Sequence, residues 1–324
     1  MVYVIASLKS NFVIYNNNFM LIYEEKSDKM FLVIKMKVKE TNEGIIVSEV
    51  SDFEPSHTFL CGQCFRWDEE KDGSFTGIAF SKPVNISYSE NVLTIKNINL
   101  EEFEKYWRHY LDLDTDYKEI KKAVSVDENV KSAIEFGWGI RILNQEIFEC
   151  LISFIISTQN QIPRIKKIVA ALSELYGKKL EYNGKTYYAF PTLEEMKDIK
   201  EDDLIPLKAG YRAGYIVDAV QKLLRGDVNL SELKNLSYAD AKAELMKIRG
   251  VGPKVADCVL LFSAEKKESF PIDVWVKRTV QTLYLNEKAT QKQIESFATE
   301  YFGKYAGVAQ QYLFYYSREN NLGK

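Results

Sequence analysis

Between Gly44 and Asn97 apolar and polar positions alternate in short runs, whereas from Tyr117 onward apolar positions recur every three or four residues. Period-two alternation buries one face of a strand, and a 3.6-residue period buries one stripe of a helix. The first stretch therefore predicts an antiparallel sheet with strands at 44–50, 65–67, 74–80, 84–89 and 92–97. Asp72-Gly73 and Ser89-Glu90-Asn91 supply turns between them. A helix follows at about Leu100–Leu111. Further along, Glu146–Ile156 is apolar nearly all round and predicts a buried helix. Ile165, Ile168, Val169, Leu172 and Leu175 mark a helix over Ile162–Tyr176, and Tyr215–Leu224 and Tyr238–Ile248 repeat the pattern. Leu180–Phe190 reads as a hairpin about Asn183-Gly184. A last helix runs from about Tyr305 to Tyr316. The fold class is α+β, with a sheet domain over residues 37–115 and a helical domain over 116–324. The first 36 residues read as an extension outside both, with Met20, Met30 and Met36 as alternative starts.

Composition narrows the picture. The 324 residues are 46% hydrophobic and 27% charged, an ordinary soluble composition with length for two domains. The formal net charge of −3 argues mildly against nucleic acid, but a small footprint can be basic on an acidic protein. Local candidates are Arg164, Lys166 and Lys167, then Lys242, Lys247, Arg249 and Lys254, then Lys277 and Arg278. Four cysteines are too few for a disulfide scaffold, so a reducing cytoplasm is expected. Cys61 and Cys64 form a C-x-x-C without a second pair, which reads as a turn rather than a zinc site. The C-terminal end has no cysteines and so no four-cysteine iron–sulfur loop. No run suits a membrane span, and the opening residues lack the basic start and cleavage site of a signal peptide. The Lys-, Asn- and Ile-rich usage suggests an AT-rich, bacterial genome.

The chemistry concentrates between Ile248 and Val276. Helix Tyr238–Ile248 runs into Gly250-Val251-Gly252, and Pro253 suits the first position of a new helix. Such a turn offers free N–H groups beside the positive end of a helix dipole, where a DNA phosphate fits. A plain αα-corner with a glycine cap is the equal alternative. Lys254 falls in the first turn, where the dipole opposes an ammonium. An amine nucleophile or a phosphate ligand would account for it. Cys258, four residues on, shares its face; alone it is a small buried residue. Asp273, after Pro271-Ile272, suits the N-cap of the next helix, with or without a second duty toward Lys254.

These residues resemble the helix-hairpin-helix DNA glycosylase superfamily, and more narrowly the eukaryotic-type 8-oxoguanine DNA glycosylases. Gly250 to Cys258 followed by Pro271-Ile272-Asp273 carries the resemblance. Gly62-Gln63-Cys64-Phe65-Arg66-Trp67, Leu151–Arg164, Gly210-Tyr211-Arg212-Ala213 and the stretch from Tyr305 through Gln310 to Phe314 are similar to family segments in the same order. The resemblance covers nearly everything after residue 40.

It implies a sheet domain like the TATA-binding protein, followed by an all-α glycosylase domain. It implies that Lys254 attacks C1′ of the damaged nucleotide, forming a Schiff base whose elimination nicks the strand. Asp273 would stabilise the cationic sugar. The target base must leave the stack to be reached. The carbonyl of Gly62 would accept the N7–H that 8-oxoguanine has and guanine lacks; an acceptor facing a lone pair is costly. Phe314 and Cys258 would sandwich the base and Gln310 bond its Watson–Crick edge. By local pattern alone Phe314 is core, Gln310 a surface residue and Gly62 a turn glycine. Gln159, Asn160, Arg164, Tyr211 and Arg212 would wedge the duplex and read the opposite cytosine. Gln159 stands where the family commonly has Asn, and Trp275 where many members have His. The expected partner is double-stranded DNA containing 8-oxoguanine, met in the nucleoid by a monomer. No cofactor is implied beyond a structural monovalent cation at the hairpin. The alternatives are a glycosylase for another damaged purine and a non-catalytic DNA-binding module.

Overall fold

The computed structural model describes residues 36–322 in full, and ahead of them the backbone of four antiparallel strands, β1 (Val4–Leu8), β2 (Asn11–Asn16), β3 (Phe19–Lys26) and β4 (Lys29–Val33). The sheet domain is a second, six-stranded antiparallel sheet. Its strands are β5 (Lys37–Glu40), β6 (Gly44–Ser48), β7 (Trp67–Glu69), β8 (Phe75–Ala79), β9 (Lys82–Ser89) and β10 (Val92–Lys96), in the order β5-β6-β10-β9-β8-β7. Ile95 pairs with Ile45 on one side and Ile86 on the other, so alternation puts Ile45, Val47, Ile86, Leu93 and Ile95 on one fully buried face. Glu90 and Asn91 both have positive φ, as a two-residue hairpin loop demands.

One helical stretch, residues 100–110, covers that face with Phe103, Trp107 and Tyr110. Asn99 and Glu102 close a capping box at its start. Its middle, Phe103–Trp107, is a π turn, a widening that no periodicity in the sequence marks. The predicted hairpin is formed by β11 (Lys179–Tyr182) and β12 (Lys185–Tyr188), with Asn183 and Gly184 at positive φ. It is the one departure from all-α structure among the described residues beyond Tyr117. Helix Ile147–Ile156 is buried from Cys150 onward and packs against helix Pro253–Ser263. The short helix Pro55–Leu60 was not legible as a periodic run.

Two hydrophobic cores result, one from Met36 to Leu113 and one from Tyr117 onward, with exchanges at the seam. Cys61 and Phe65 pack into the helical core, and Leu143 into the sheet core. Gln63, fully buried, sews the seam: its Nε2 donates to the carbonyls of Thr58 and Arg141 at 2.8 Å each, and its Oε1 accepts the Leu143 N–H at 2.9 Å.

Glu149, on the buried helix, lies 3.4 Å from the guanidinium of Arg66. Burial outweighs this long contact and pushes the carboxyl up to about 7, with Arg66 pulling down and neighbouring Glu146 pushing up. A raised native pKa means the native state holds the proton more tightly. The stability this confers is present at low pH and is lost as pH rises through about 7. Thermal unfolding should show a loss of about 1 kcal/mol between pH 6 and 8 from this group, and Glu149→Gln should remove that slope.

Candidate active site

The hairpin is built by its glycines and by partners from other helices. Helix Tyr238–Met246 begins at Ser237, whose hydroxyl accepts the Asp240 N–H. Gly250 turns the chain at φ +81, and a Cβ there would lie 2.1 Å from Cδ2 of Tyr215. Gly250→Ala combines that clash with a forbidden backbone, so a loss of roughly 2–4 kcal/mol is expected in chemical denaturation. The Asp218 carboxylate accepts the Arg249 N–H at 2.7 Å. Gly252 is the N-cap of helix Pro253–Ser263 and gives it no side-chain cap, so the first-turn N–H groups remain available to an anion. Asp257, almost wholly buried, joins the two hairpin helices through Lys242 at 2.9 Å and the Tyr238 hydroxyl at 2.7 Å. Burial raises its pKa to about 6 against the pull of Lys242 and Tyr238.

Lys254 projects from the first turn into a cleft of about 710 Å³ between the two halves of the chain. Gly62, Gln159, Asn160, Gly250, Gly252, Asp273, Trp275 and Phe314 line it too. The Lys254 ammonium lies 5.1 Å above the Phe154 ring and 3.4 Å from the Ser157 hydroxyl. Asp273 is the N-cap of helix Val274–Leu283, accepting the Val276 N–H at 2.8 Å. Burial raises its carboxyl pKa, opposed by the Val276 N–H, by the Lys254 charge, by the Trp275 N–H and by Arg318. The cap therefore also faces the lysine. Burial pushes the Cys258 thiol up to about 11, with Lys254 pulling it down, so at neutral pH it is a thiol.

Behind Lys254 the cleft narrows to an inner pocket walled by Gly62, Cys258, Gln310 and Phe314. Its free volume is about 40 Å³. That is far short of the cavity of about 150 Å³ that holds a benzene ring. Phe314 is half-buried, packed on the helical core with the Arg318 guanidinium over its ring. Gln310 is 4% exposed, and its Oε1 has no partner among the described residues, an acceptor waiting in the pocket. Gly62 sits at φ +91. The carbonyls on either side of it are occupied, Cys61 by the Gln311 amide at 2.9 Å and Gln63 by the Gln145 amide at 2.8 Å. Those bonds orient the Gly62 peptide and leave its own carbonyl without a partner among the described residues.

The residues assigned to wedging and opposite-base reading gather at the cleft mouth. Gln159 is exposed at φ +46, a strained setting for glutamine. The exposed Tyr211 hydroxyl reaches the Thr158 carbonyl at 3.2 Å and Gln159 Oε1 at 3.3 Å. Asn160 folds back onto the Ile156 carbonyl at 3.1 Å. Arg164 stays exposed, donating to the Lys208 carbonyl at 3.0 Å. Arg212 is 4% exposed, and its Nε and both Nη atoms donate to the carbonyls of Thr158, Ala209 and Gln159. Those bonds tie Arg212 to the backbone of the Thr158-Gln159 turn, at the cleft mouth. Residues that sequence reading missed are Phe154, Ser157, Gln145 and Gln311; nothing local marks them. A second cleft of about 560 Å³, between β7, β8, the helix Ile162–Tyr176 and the hairpin, shares only Phe65 with this site. Among the described residues no helix is long and apolar enough to cross a membrane.

Comparison with known proteins gives this geometry a family. Residues 45–151 match the 8-oxoguanine DNA glycosylase N-terminal domain, and residues 152–304 match the HhH-GPD superfamily base excision DNA repair protein. The 8-oxoguanine glycosylase/lyase of Clostridium acetobutylicum, solved with double-stranded DNA containing cytosine opposite 8-oxoguanine, is 47% identical with a TM-score of 0.86, covering 88% of this chain and 98% of that one. The N-glycosylase/DNA lyase of Saccharomyces cerevisiae is 31% identical over 76% of this chain and 72% of that protein. The N-glycosylase/DNA lyase OGG1 of Arabidopsis thaliana is 36% identical over 54% of this chain and 51% of that protein.

Proposed function

From the 8-oxoguanine DNA glycosylases of the helix-hairpin-helix base-excision-repair superfamily, to which this chain belongs, we propose that it excises 8-oxoguanine from duplex DNA and nicks the strand at the resulting site. The observation that carries the reading is a cleft and an inner pocket that share walls. Lys254, Asp273, Gly62 and Phe314 line both, and Cys258 and Gln310 line the inner one.

The hairpin N–H groups and the start of helix Pro253–Ser263 take a backbone phosphate. Gln159 and Tyr211 fill the gap left by the extruded nucleotide, while Asn160 and Arg164 face the opposite strand. The base enters between Phe314 and Cys258. Its N7–H meets the Gly62 carbonyl, and the unpaired Oε1 of Gln310 accepts from its Watson–Crick edge. Lys254 Nζ, as the free amine, then forms a bond to C1′ as the bond from C1′ to the base breaks, the base leaving with the electron pair and taking up the proton that the alkylated amine sheds. The C1′–O4′ bond then breaks with its electron pair on O4′, which takes a proton from water, and an iminium remains. Loss of a C2′ proton expels the 3′ phosphate. Asp273 places its carboxylate beside the positive charge that develops on the sugar. Ile248 O already accepts the Val251 N–H at 3.1 Å, and its second lone pair suits a monovalent cation that braces the hairpin.

The test is a duplex with one 8-oxoguanine, set in turn opposite each of the four bases. Released base is quantified separately from strand nicking. Base release with nicking that needs no hot alkali supports the reading. A protein that binds the duplex and releases nothing opposite any partner overturns it. The series across partners also measures what glutamine at 159 does to the preference for cytosine.

A further inference from the structure

The final helix, Ala306–Glu319, sets one more side chain behind the recognition pocket's wall, Arg318, which is ion-paired with Glu319 at 2.8 Å. Arg318 donates from Nη2 to the Leu60 carbonyl at 2.8 Å, two residues before Gly62. Its guanidinium carbon lies 5.4 Å from the centre of the Phe314 ring. Its Nη1 is buried and finds no partner among the described residues. That nitrogen would lie 3.2 Å from a Cβ placed on Gly62, and Phe314 Cε1 would lie 3.3 Å from the same point. One cation thus touches both the loop that carries the recognition carbonyl and the ring that walls the pocket.

A buried guanidinium nitrogen without an acceptor is costly and calls for an explanation. The two features that set 8-oxoguanine apart from guanine are adjacent on the base, a hydrogen on N7 and an oxygen on C8. A carbonyl at Gly62 suits the first. A cationic donor beside it suits the second, since a charge-assisted bond to a carbonyl oxygen is among the stronger ones. Guanine presents a lone pair to the carbonyl and only a C–H toward the donor.

Resting on the function proposed above, we infer that Arg318 is a specificity-determining residue for the damaged base. It fixes the Gly62 loop through Leu60, backs the Phe314 ring and turns Nη1 to the C8 oxygen of the lesion.

Two variants test this in the full chain, Arg318→Met and Arg318→Lys. The readout is single-turnover excision of 8-oxoguanine, divided by borohydride trapping of a preformed abasic duplex by the same variant. An abasic site has no base to recognise, so the quotient isolates recognition from folding and from lysine chemistry. Arg318→Met should lower the quotient about tenfold, and Arg318→Lys, which keeps a cation but not the fork, should recover part of it. An unchanged quotient in Arg318→Met, or equal loss of both activities, overturns the inference. Failure of the wild-type protein to excise or to trap would instead sink the functional reading beneath it.

Discussion

Replacing Lys254 with glutamine is expected to abolish the borohydride-trapped protein–DNA complex and to lower excision on the order of 10⁴-fold, while lesion-duplex binding survives. Two lysines line the cleft, Lys254 and Lys277. Lys277 is exposed on the outer side of the next helix, whereas Lys254 is partly buried over Phe154 and within reach of Ser157. Only Lys254 acts electrostatically on both Asp273 and Cys258, the carboxyl and thiol that frame the inner pocket. Glutamine keeps the polar tip near Ser157 and most of the aliphatic stem, so the site should keep its shape. Lys277→Gln is the control and should retain the trapped band. A band that persists in Lys254→Gln and vanishes in Lys277→Gln would reassign the nucleophile.

The parts of this site that are local in sequence were readable, and the parts made by distant segments were not. Gly250 to Lys254 could be placed at a helix start because glycine, proline and lysine each constrain the backbone or its field within a few residues. Asn183-Gly184 predicted its hairpin for the same reason, since two positive φ values are what that pair favours. Asp273 was legible as a cap, but its proximity to Lys254 depends on how two helices pack. Gln63 reads as an ordinary polar residue after a glycine; its two bonds across the seam exist only once Arg141 and Leu143 arrive from some eighty residues away. Arg212 was named by the family segment, but its bonds to the Thr158 and Gln159 carbonyls form only once a segment more than fifty residues away packs beside it. The π turn at Phe103–Trp107 has no sequence signature, since Phe103 and Trp107 would share a face in an ordinary α-helix too.

Asp273→Asn is expected to slow excision about 10²–10³-fold, with little change in lesion binding, and at the same time to make the protein more stable. Asparagine is as good an N-cap as aspartate and can accept the Val276 N–H through its side-chain oxygen, so the start of helix Val274–Leu283 should hold. What is lost is the negative charge. Burial raises the pKa of this carboxyl, so the folded state binds its proton more tightly than the unfolded chain does. By linkage the carboxyl favours folding at low pH and loses that contribution as pH rises through its raised native pKa. At neutral pH the ionised group is therefore a strain on the fold, retained for its effect on a cationic sugar. Removing it should raise the melting temperature at neutral pH, as the chemistry fails. Asp273→Ala separates the two duties. It should lose the same rate but also about 1 kcal/mol of stability through the missing cap. An Asp273→Asn protein that excises at near the wild-type rate would leave the residue as a cap and nothing more, and the positive charge at C1′ would need another counterpart in the cleft.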